Sequence, residues 1–578
     1  MSNKLERSRV PVYCPKAKTV ELVLDGYRYD MYADKHGWWF SDRAVPAGAR
    51  YAYSVDGADP VADPRALRRP DGVHGPAQQW DPGQRPKPAG FTLLGKVFYE
   101  LHVGTFTPEG TFDAAIEKLP ALAELGVQVV ELMPVAPFPG EFGWGYDGVS
   151  LMAVHEPYGG PDGMRRFIDA AHELGLAVCL DLVLNHFGNV GNYIAQLADY
   201  YSQKHETPWG PAFDLDGRNR THVRQFLMDT AVYWLEEMGV DGLRLDAVHA
   251  LVDDSEKHFL AELSDRVKQL EQQLGAPLTL IAESDLNNVK MVTPTDRGGL
   301  GMDGQWDDDL HHSLHSLFTG ESQGYYSDFA QRGAVKRAFE NVFFHAGTYS
   351  SFRGQVWGHP VDDSLDRTRF VAFSQNHDQV GNRALGDRPS RVLSDAQLAA
   401  QAALVILSSY TPMLFQGEEW GSKGPFLFFS DQEDDEQMKQ AMRQGRQKEF
   451  SAHGWAELYG KDVQVPDPTS RQTFLESKLD WPAPTDERAK RMLEWYRKLI
   501  ALRSTHVHSG LPVQVQWDGD VLTMSHDNGL CVSVNFGQTK QPTPSDAVEV
   551  LAQWDGAFTP GSAIVYRSES FAGHPFDS

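Results

Sequence analysis

Three carboxylic acids sit at the ends of three different apolar runs: Asp246 in GLRLDAV, Glu283 in LTLIAES and Asp378 in RFVAFSQNHD. Two carboxyl groups flanking a glycosidic bond can cleave it, one as nucleophile or base and the other as acid, through an oxocarbenium-like transition state. A third can stabilise the developing positive charge or orient a ring hydroxyl. Taken singly, each acid has an ordinary alternative as a helix cap or ion-pair partner, but packing alone does not need all three.

Arg244 lies two places before Asp246, so in a strand the two share a face while Leu243, Leu245 and Val248 accompany them. Ions in an apolar strand are costly unless paired or useful. A guanidinium beside a carboxylate favours the ionised form and fixes its orientation, which suits a nucleophile. The opposite tuning suits Glu283, where Ile281 and Ala282 imply a drier site that keeps a carboxyl protonated. His186 and His377 each follow an asparagine, in LVLNH and SQNHD; neither has zinc-ligand spacing, so hydrogen bonding to sugar hydroxyls is expected, with a structural histidine as the alternative. The loop GEFGWGYDG offers Trp144, Tyr146 and Asp147, and flat rings beside carboxylates suit the apolar faces of glucose. There is no phosphate-cradling GxxxxGK[ST] segment.

These residues need strands to carry them. Runs at 97–106, 127–135, 176–186, 242–248, 278–284, 369–378 and 412–420 alternate with helical stretches such as FDAAIEKLPALAELG and GMRRFIDAAHELG, which argues for a parallel sheet covered by helices. An eighth strand is weakly written at MDGQW, 302–306. Repeated ionisable residues at strand ends predict a (β/α)8 TIM barrel, whose active site gathers at the C-terminal ends of its strands. A doubly wound open sheet fits the alternation but would not need ionisable groups at so many strand ends. Short alternating segments before and after it predict an N-terminal β-sandwich over 1–90, with a Pro- and Gly-rich linker at 70–90. The barrel then occupies 91–506, with insertions at 189–215 and 307–360, and a C-terminal all-β domain, read as a second sandwich, occupies 507–578.

The 578 residues carry 53 Lys+Arg against 79 Asp+Glu, a net charge of −26 that repels nucleic acid and anionic membranes. A neutral polyhydroxylated ligand is compatible with that field. Three scattered cysteines, Cys14, Cys179 and Cys531, exclude a disulfide framework, and MSNKLERSRVPVYC lacks the apolar centre of a signal peptide. A cytoplasmic protein is expected, a monomer with a dimer as the alternative.

The segments DLVLNH, GLRLDAVHA, IAESD and FSQNHD resemble, in order, the four short regions of the α-amylase clan, glycoside hydrolase family 13. The resemblance implies a retaining mechanism with Asp246 as nucleophile, Glu283 as general acid/base and Asp378 as transition-state stabiliser. It also implies that Tyr146, Asp147, His186, Arg244 and His377 line the subsite for the attacked glucose, with Trp144 and Gln379 beside it. Neighbouring words, among them IAESDLN, QNHDQVGNR and GQWDDDLHHSLH, are similar to a branch of the clan that cuts the α-1,4 bond next to a terminal trehalose on a maltooligosyl chain. Within that branch Asp307 and Asp308 are expected on the trehalose side and His249 toward the leaving group. Asn185 stands where some members hold calcium, but no supporting acidic loop is legible, so no metal and no cofactor is expected. The alternatives are a glucan branching enzyme, an α-1,6 debranching enzyme and, from another class, a catalytically inactive carbohydrate-binding accessory protein, against which the three intact acids argue.

Overall fold

The computed structural model describes residues 9–433, 435–460 and 463–569; the first eight and last nine residues of the expected terminal units lie outside it. At its centre eight parallel strands close into a barrel: β1 (Phe98–Leu101), β2 (Val129–Leu132), β3 (Ala177–Leu182), β4 (Gly242–Leu245), β5 (Thr279–Ala282), β6 (Gly304–Trp306), β7 (Phe370–Phe373) and β8 (Thr411–Phe415). Each pairs with the next, and β8 pairs with β1 to close the ring. Every residue of these strands is buried, because helices cover the outside and side chains fill the inside.

The covering helices follow from local sequence. Over Phe259–Leu274 the residues Leu260, Leu263, Val267 and Leu270 repeat at helical spacing and are buried, the His258 side chain caps the first turn, and Gly275 ends it in a left-handed conformation. Ser394 and Gln397 form a capping box at the start of Asp395–Ile406. Between β5 and β6 the described residues hold only two 3-10 turns, Val289–Met291 and Thr295–Arg297. That missing helix, together with a three-residue strand, is why β6 is so faint in sequence.

The Pro- and Gly-rich passage does more than link. Its continuation turns under the barrel, where Leu93 joins Phe98, Val129, Ala177, Ile281, Val371 and Met413 in the apolar lower core, with Ala89, Phe91 and Leu94 packed on it. Backbone N–H groups of Ala89, Leu93 and Gly95 donate to Asp241, Thr279 and Thr411 at the strand bases. Glycine is required opposite this plug: a Cβ on Gly242 would lie 2.5 Å from Leu93 Cδ1, and one on Gly304 2.9 Å from Leu94 Cδ2.

Two antiparallel sheets precede the barrel. One holds Val12–Tyr13, Trp38–Phe40 and Tyr32–Ala33; the other holds Tyr27–Asp30, Val20–Leu24, Arg50–Val55 and Ala77–Gln78. They share a core of Val12, Leu22, Trp39 and Tyr53 and dock on the barrel through a Tyr13–His222 stack at 3.7 Å and an Arg65–Asp229 ion pair at 2.8 Å. After the barrel the described residues form one five-stranded antiparallel sheet, not the two-sheet sandwich read from sequence. One face packs on helices Asp395–Ile406 and Glu487–His506, so the barrel's own helices replace a second sheet. The other face is closed by Phe558 and the connection that bridges Gln541 to it.

Removing the plug's central side chain should weaken the whole barrel without touching its mouth. Leu93→Ala is expected to cost about 2–5 kcal/mol, read as a lower denaturant midpoint with turnover at low temperature preserved; an unchanged midpoint contradicts a structural role for the plug.

Candidate active site

Strand β4 points Arg244 into the barrel and Leu243 and Leu245 outward into the helical core. Arg244 has no solvent exposure, and its Nη1 donates to Asp181 Oδ2 at 2.7 Å and to Asp246 Oδ1 at 3.0 Å. Asp246 Oδ2 accepts from Asn185 Nδ2 at 2.8 Å, so the nucleophile candidate is held from both sides. Burial opposes the guanidinium's charge, but Asp181 foremost, with Tyr146, Glu283 and Asp246, raises its pKa well above the usual value. The Trp306 ring lies 4.2 Å from the guanidinium carbon, a cation–π contact that keeps the group dry.

After Asp246 the chain turns sharply. Ala247 takes φ 37°, a left-handed conformation that costs a non-glycine residue about 1–3 kcal/mol. The turn aims the Ala247 N–H at Glu283 Oε2, 2.5 Å away, while Arg244 Nη2 lies 3.7 Å from the same oxygen. Burial pushes the Glu283 carboxyl up to about 8, helped by Asp246 and Asp378 against the pull of Arg244. Glu283 is therefore protonated at neutral pH and able to act as an acid.

Asp378 sits on the short helix His377–Gly381 that follows β7, its Oδ1 accepting from Asn382 Nδ2 at 3.2 Å. Its side chain is 35% exposed against 12% for Asp246 and 17% for Glu283, which places it toward the open mouth. His377 beside it is tied down by Glu100 on β1: Nδ1–H donates to Oε1 at 2.5 Å and the backbone N–H to Oε2 at 2.9 Å. Its Nε2 lies 2.8 Å from Tyr146 Oη, whose own proton goes to Asp181 Oδ2 at 2.6 Å. Since Tyr146 has one proton to give, His377 Nε2 also donates, and the ring is an imidazolium. Burial lowers its pKa, but Glu100 and Asp378 raise it to about 9.

Of the other expected residues, Asp308 and Gln379 face this cluster and bond to each other at 3.3 Å; burial and Asp378 push the Asp308 carboxyl up to about 7. His186 Nε2–H donates to the Tyr146 carbonyl, and its ring stacks on Trp209 at the rim. Asp147 accepts from Ser430 Oγ at 2.9 Å. Two expectations, Trp144 and Asp307, need correction. Trp144 is 4% exposed, stacks on Phe426 and donates to the Leu427 carbonyl, so it backs His377 from behind. Asp307 is buried as the N-cap of helix Asp308–Thr319, accepting from the Leu310 N–H, because a helix starts at β6's end and needs that oxygen. His249 lies exposed at the rim, 4.0 Å from Asp285, two residues beyond Glu283.

Sequence reasoning missed Glu100 and Glu131 and left Asp181 without a role. The signal was present: FYEL, VVEL and CLDL each put one acid inside an otherwise apolar barrel strand. Asn185, weighed as a calcium position, gives its amide N–H to the Asp246 carbonyl and carboxylate. A cluster able to hold a cation lies outside the cleft at His205, Asp216 and Asp254, but Lys204 Nζ reaches into it, 2.5 Å from Asp254.

Residues 77–210 and 211–509 match the family of alpha-amylase catalytic domains. The malto-oligosyltrehalose trehalohydrolase of Arthrobacter ramosus is 48% identical over 508 residues, 86% of this chain and 87% of that one. That of Mycobacterium tuberculosis (strain ATCC 25618 / H37Rv) is 44% identical over 559 residues, 94% and 95% of the two chains. A crystal structure of a Salmonella typhimurium protein superposes with TM-score 0.88 at 37% identity, covering 97% of both chains. A maltotetraose-complexed pullulanase from Anoxybacillus sp. LM18-11, at 18% identity and TM-score 0.69 over 96% of this chain and 85% of its own, shares the fold.

The raised Glu283 carboxyl has a stability consequence. Its folded-state pKa exceeds its unfolded value of 4.5, so the folded state loses stability relative to the unfolded one as pH rises from about 4.5 through about 8, by roughly 1.4 kcal/mol per pH unit. Glu283→Gln, which cannot ionise, is expected to gain on the native enzyme across that window in denaturant midpoints, while kcat/KM of the native enzyme falls above pH 8. A stability difference that does not vary with pH contradicts the protonated acid.

Proposed function

The chain belongs to the α-amylase family, within its malto-oligosyltrehalose trehalohydrolases, and from that premise we propose that it hydrolyses the α-1,4 bond joining a terminal trehalose to a maltooligosyl chain. The products are trehalose and a shortened maltooligosaccharide. The observation that carries the mechanism is two carboxyl groups set differently beside one guanidinium: Asp246 bonded to Arg244 and Asn185, and Glu283 in a buried position that pushes its carboxyl up to about 8. Asp246 attacks the anomeric carbon, and Glu283 gives its proton to the departing trehalose oxygen. The resulting glucosyl ester is then opened by water, which Glu283, now a carboxylate, deprotonates, so two inversions give retention. Contact of Arg244 with both carboxyl groups supports the roughly 5–5.5 Å separation that such a retaining pair requires.

The remaining residues take roles that their positions support. Asp378, nearest the mouth, holds ring hydroxyls and faces the developing cation. Tyr146 and the His377 imidazolium floor the subsite with hydrogen-bonding groups, and Asp147 and His186 close its side. Asp308 and Gln379 lie beside Asp378, where the trehalose end enters. Three buried, unpaired cysteines fit a reducing compartment, and the cytoplasm is the proposed location. The change of sheet between Gln78 and Phe98, and the start of a new sheet at Gln514 after helix Glu487–His506, support three units at 1–90, 91–506 and 507–578.

Transfer to a sugar hydroxyl would make the same site a branching enzyme. The branching enzyme GlgB of Corynebacterium jeikeium is 29% identical over 359 residues, 56% of this chain, which favours hydrolysis. Incubation with maltotriosyltrehalose, maltopentaose and a branched glucan separates the readings. Free trehalose from the first, with little action on the second, is the expected result; new α-1,6 branches contradict it.

A further inference from the structure

Below Asp181 and Arg244 lies a layer of barrel interior that the reaction above does not use. Glu131 on β2 is in register with Glu100 on β1 and with Cys179 on β3, so the three side chains occupy one level. One step up β3 and β4, Asp181 stands opposite Arg244. Glu131 is 1% exposed, and neither of its carboxyl oxygens has a hydrogen-bond partner among the described residues. The Cys179 thiol is its weak polar neighbour. An ionised carboxylate in such a place needs a cation.

Both cations of the neighbourhood are engaged. His377 serves Glu100 through two bonds. Arg244 commits Nη1 to Asp181 and Asp246. Its Nε and Nη2, however, have no hydrogen-bond partner among the described residues. The guanidinium therefore keeps Nε uncommitted and Nη2 only 3.7 Å from Glu283 Oε2, in a dry site within electrostatic reach of Glu131.

We propose that Glu131 is held as a neutral carboxylic acid and acts as a positioning residue, whose proton leaves the Arg244 guanidinium to Asp181 and Asp246. Loss of that proton creates an anion beside Glu100 and Asp181 and within electrostatic reach of the Arg244 guanidinium, whose Nε is uncommitted. The guanidinium is then drawn down the barrel, and the Asp246 carboxylate loses the contact that aims it. Burial first, then Glu100 and Asp181, push the Glu131 carboxyl up to about 8 against the opposing pull of Arg244. The groups facing Glu131 are thus Glu100 from β1, Cys179 and Asp181 from β3 and Arg244 from β4; Glu100 and Asp181 oppose its ionisation, while Arg244 and, more weakly, the Cys179 thiol favour it.

The proposal rests on Asp246 as nucleophile, and its test compares enzymes that all retain Asp246. Failure of the nucleophile assignment would appear separately, as turnover by Asp246→Asn. In the full chain with maltotriosyltrehalose, Glu131→Gln keeps a neutral side chain of similar shape and is expected to retain kcat/KM within about threefold near pH 6.5. Above pH 9 its log kcat should fall with a slope one unit shallower than the native enzyme's, since one inactivating ionisation has been removed; KM should change little, as the defect lies in aiming the nucleophile. Glu131→Met, also uncharged, should fold and show the same shallower limb. Superimposable alkaline limbs for native and Gln enzymes overturn the proposal, as does failure of both neutral variants to fold, because the position would then require an ionised group.

Discussion

A fully buried guanidinium constrains the rest of this molecule. Arg244 lies inside the barrel with no solvent exposure, so its charge must be met within the protein, and Asp181 and Asp246 meet it through a single nitrogen. Breaking such a pair by removing one partner typically costs 3–5 kcal/mol. The surroundings are accordingly arranged for it: Trp306 lies against one face, Tyr146 ties Asp181 to His377, and Asn185 takes the second oxygen of Asp246. Stability and chemistry meet in one set of bonds, since the contact that neutralises Arg244 also orients the attacking carboxylate.

From that pair the barrel reads as three levels. At the bottom an apolar plug from the preceding segment excludes water beneath the strands. In the middle Glu100, Glu131 and Cys179 sit at one register, with His377 reaching down to Glu100. At the top Asp246, Glu283 and Asp378 line up in order of increasing exposure. Burial raises the cost of every charge in this stack, and it pushes the Glu131 and Glu283 carboxyls up to about 8 even against the pull of Arg244.

Much of this was legible because barrel strands are short, apolar and interrupted by the ions they deliver. LRLDA, LIAES and FSQNHD announced both the strands and the acids, and Arg244 beside Asp246 announced the ion pair. Other features were hidden for identifiable reasons. Strand β6 has three residues and no helix before it, so neither length nor periodicity marks it. Asp307 reads as a site acid because a helix N-cap and a catalytic carboxylate look alike at a strand's end. Trp144 reads as a sugar platform because sequence does not tell which side of a glycine-rich loop faces solvent. The C-terminal sheet's alternation shows two faces to be covered but not that barrel helices cover one of them.

The central claim is that Asp246, held by Arg244, is the group that attacks the anomeric carbon. α-Glucosyl fluoride tests it directly in Glu283→Gln, because fluoride leaves without the acid and no base remains to activate water. Peptide mass analysis of the quenched protein should find one added anhydroglucose unit on the Asp246 side chain, with no adduct in the Asp246→Asn, Glu283→Gln double variant. An adduct on another residue, or glucose released from the single variant with no adduct while a water-attack product of inverted configuration accumulates, would contradict it.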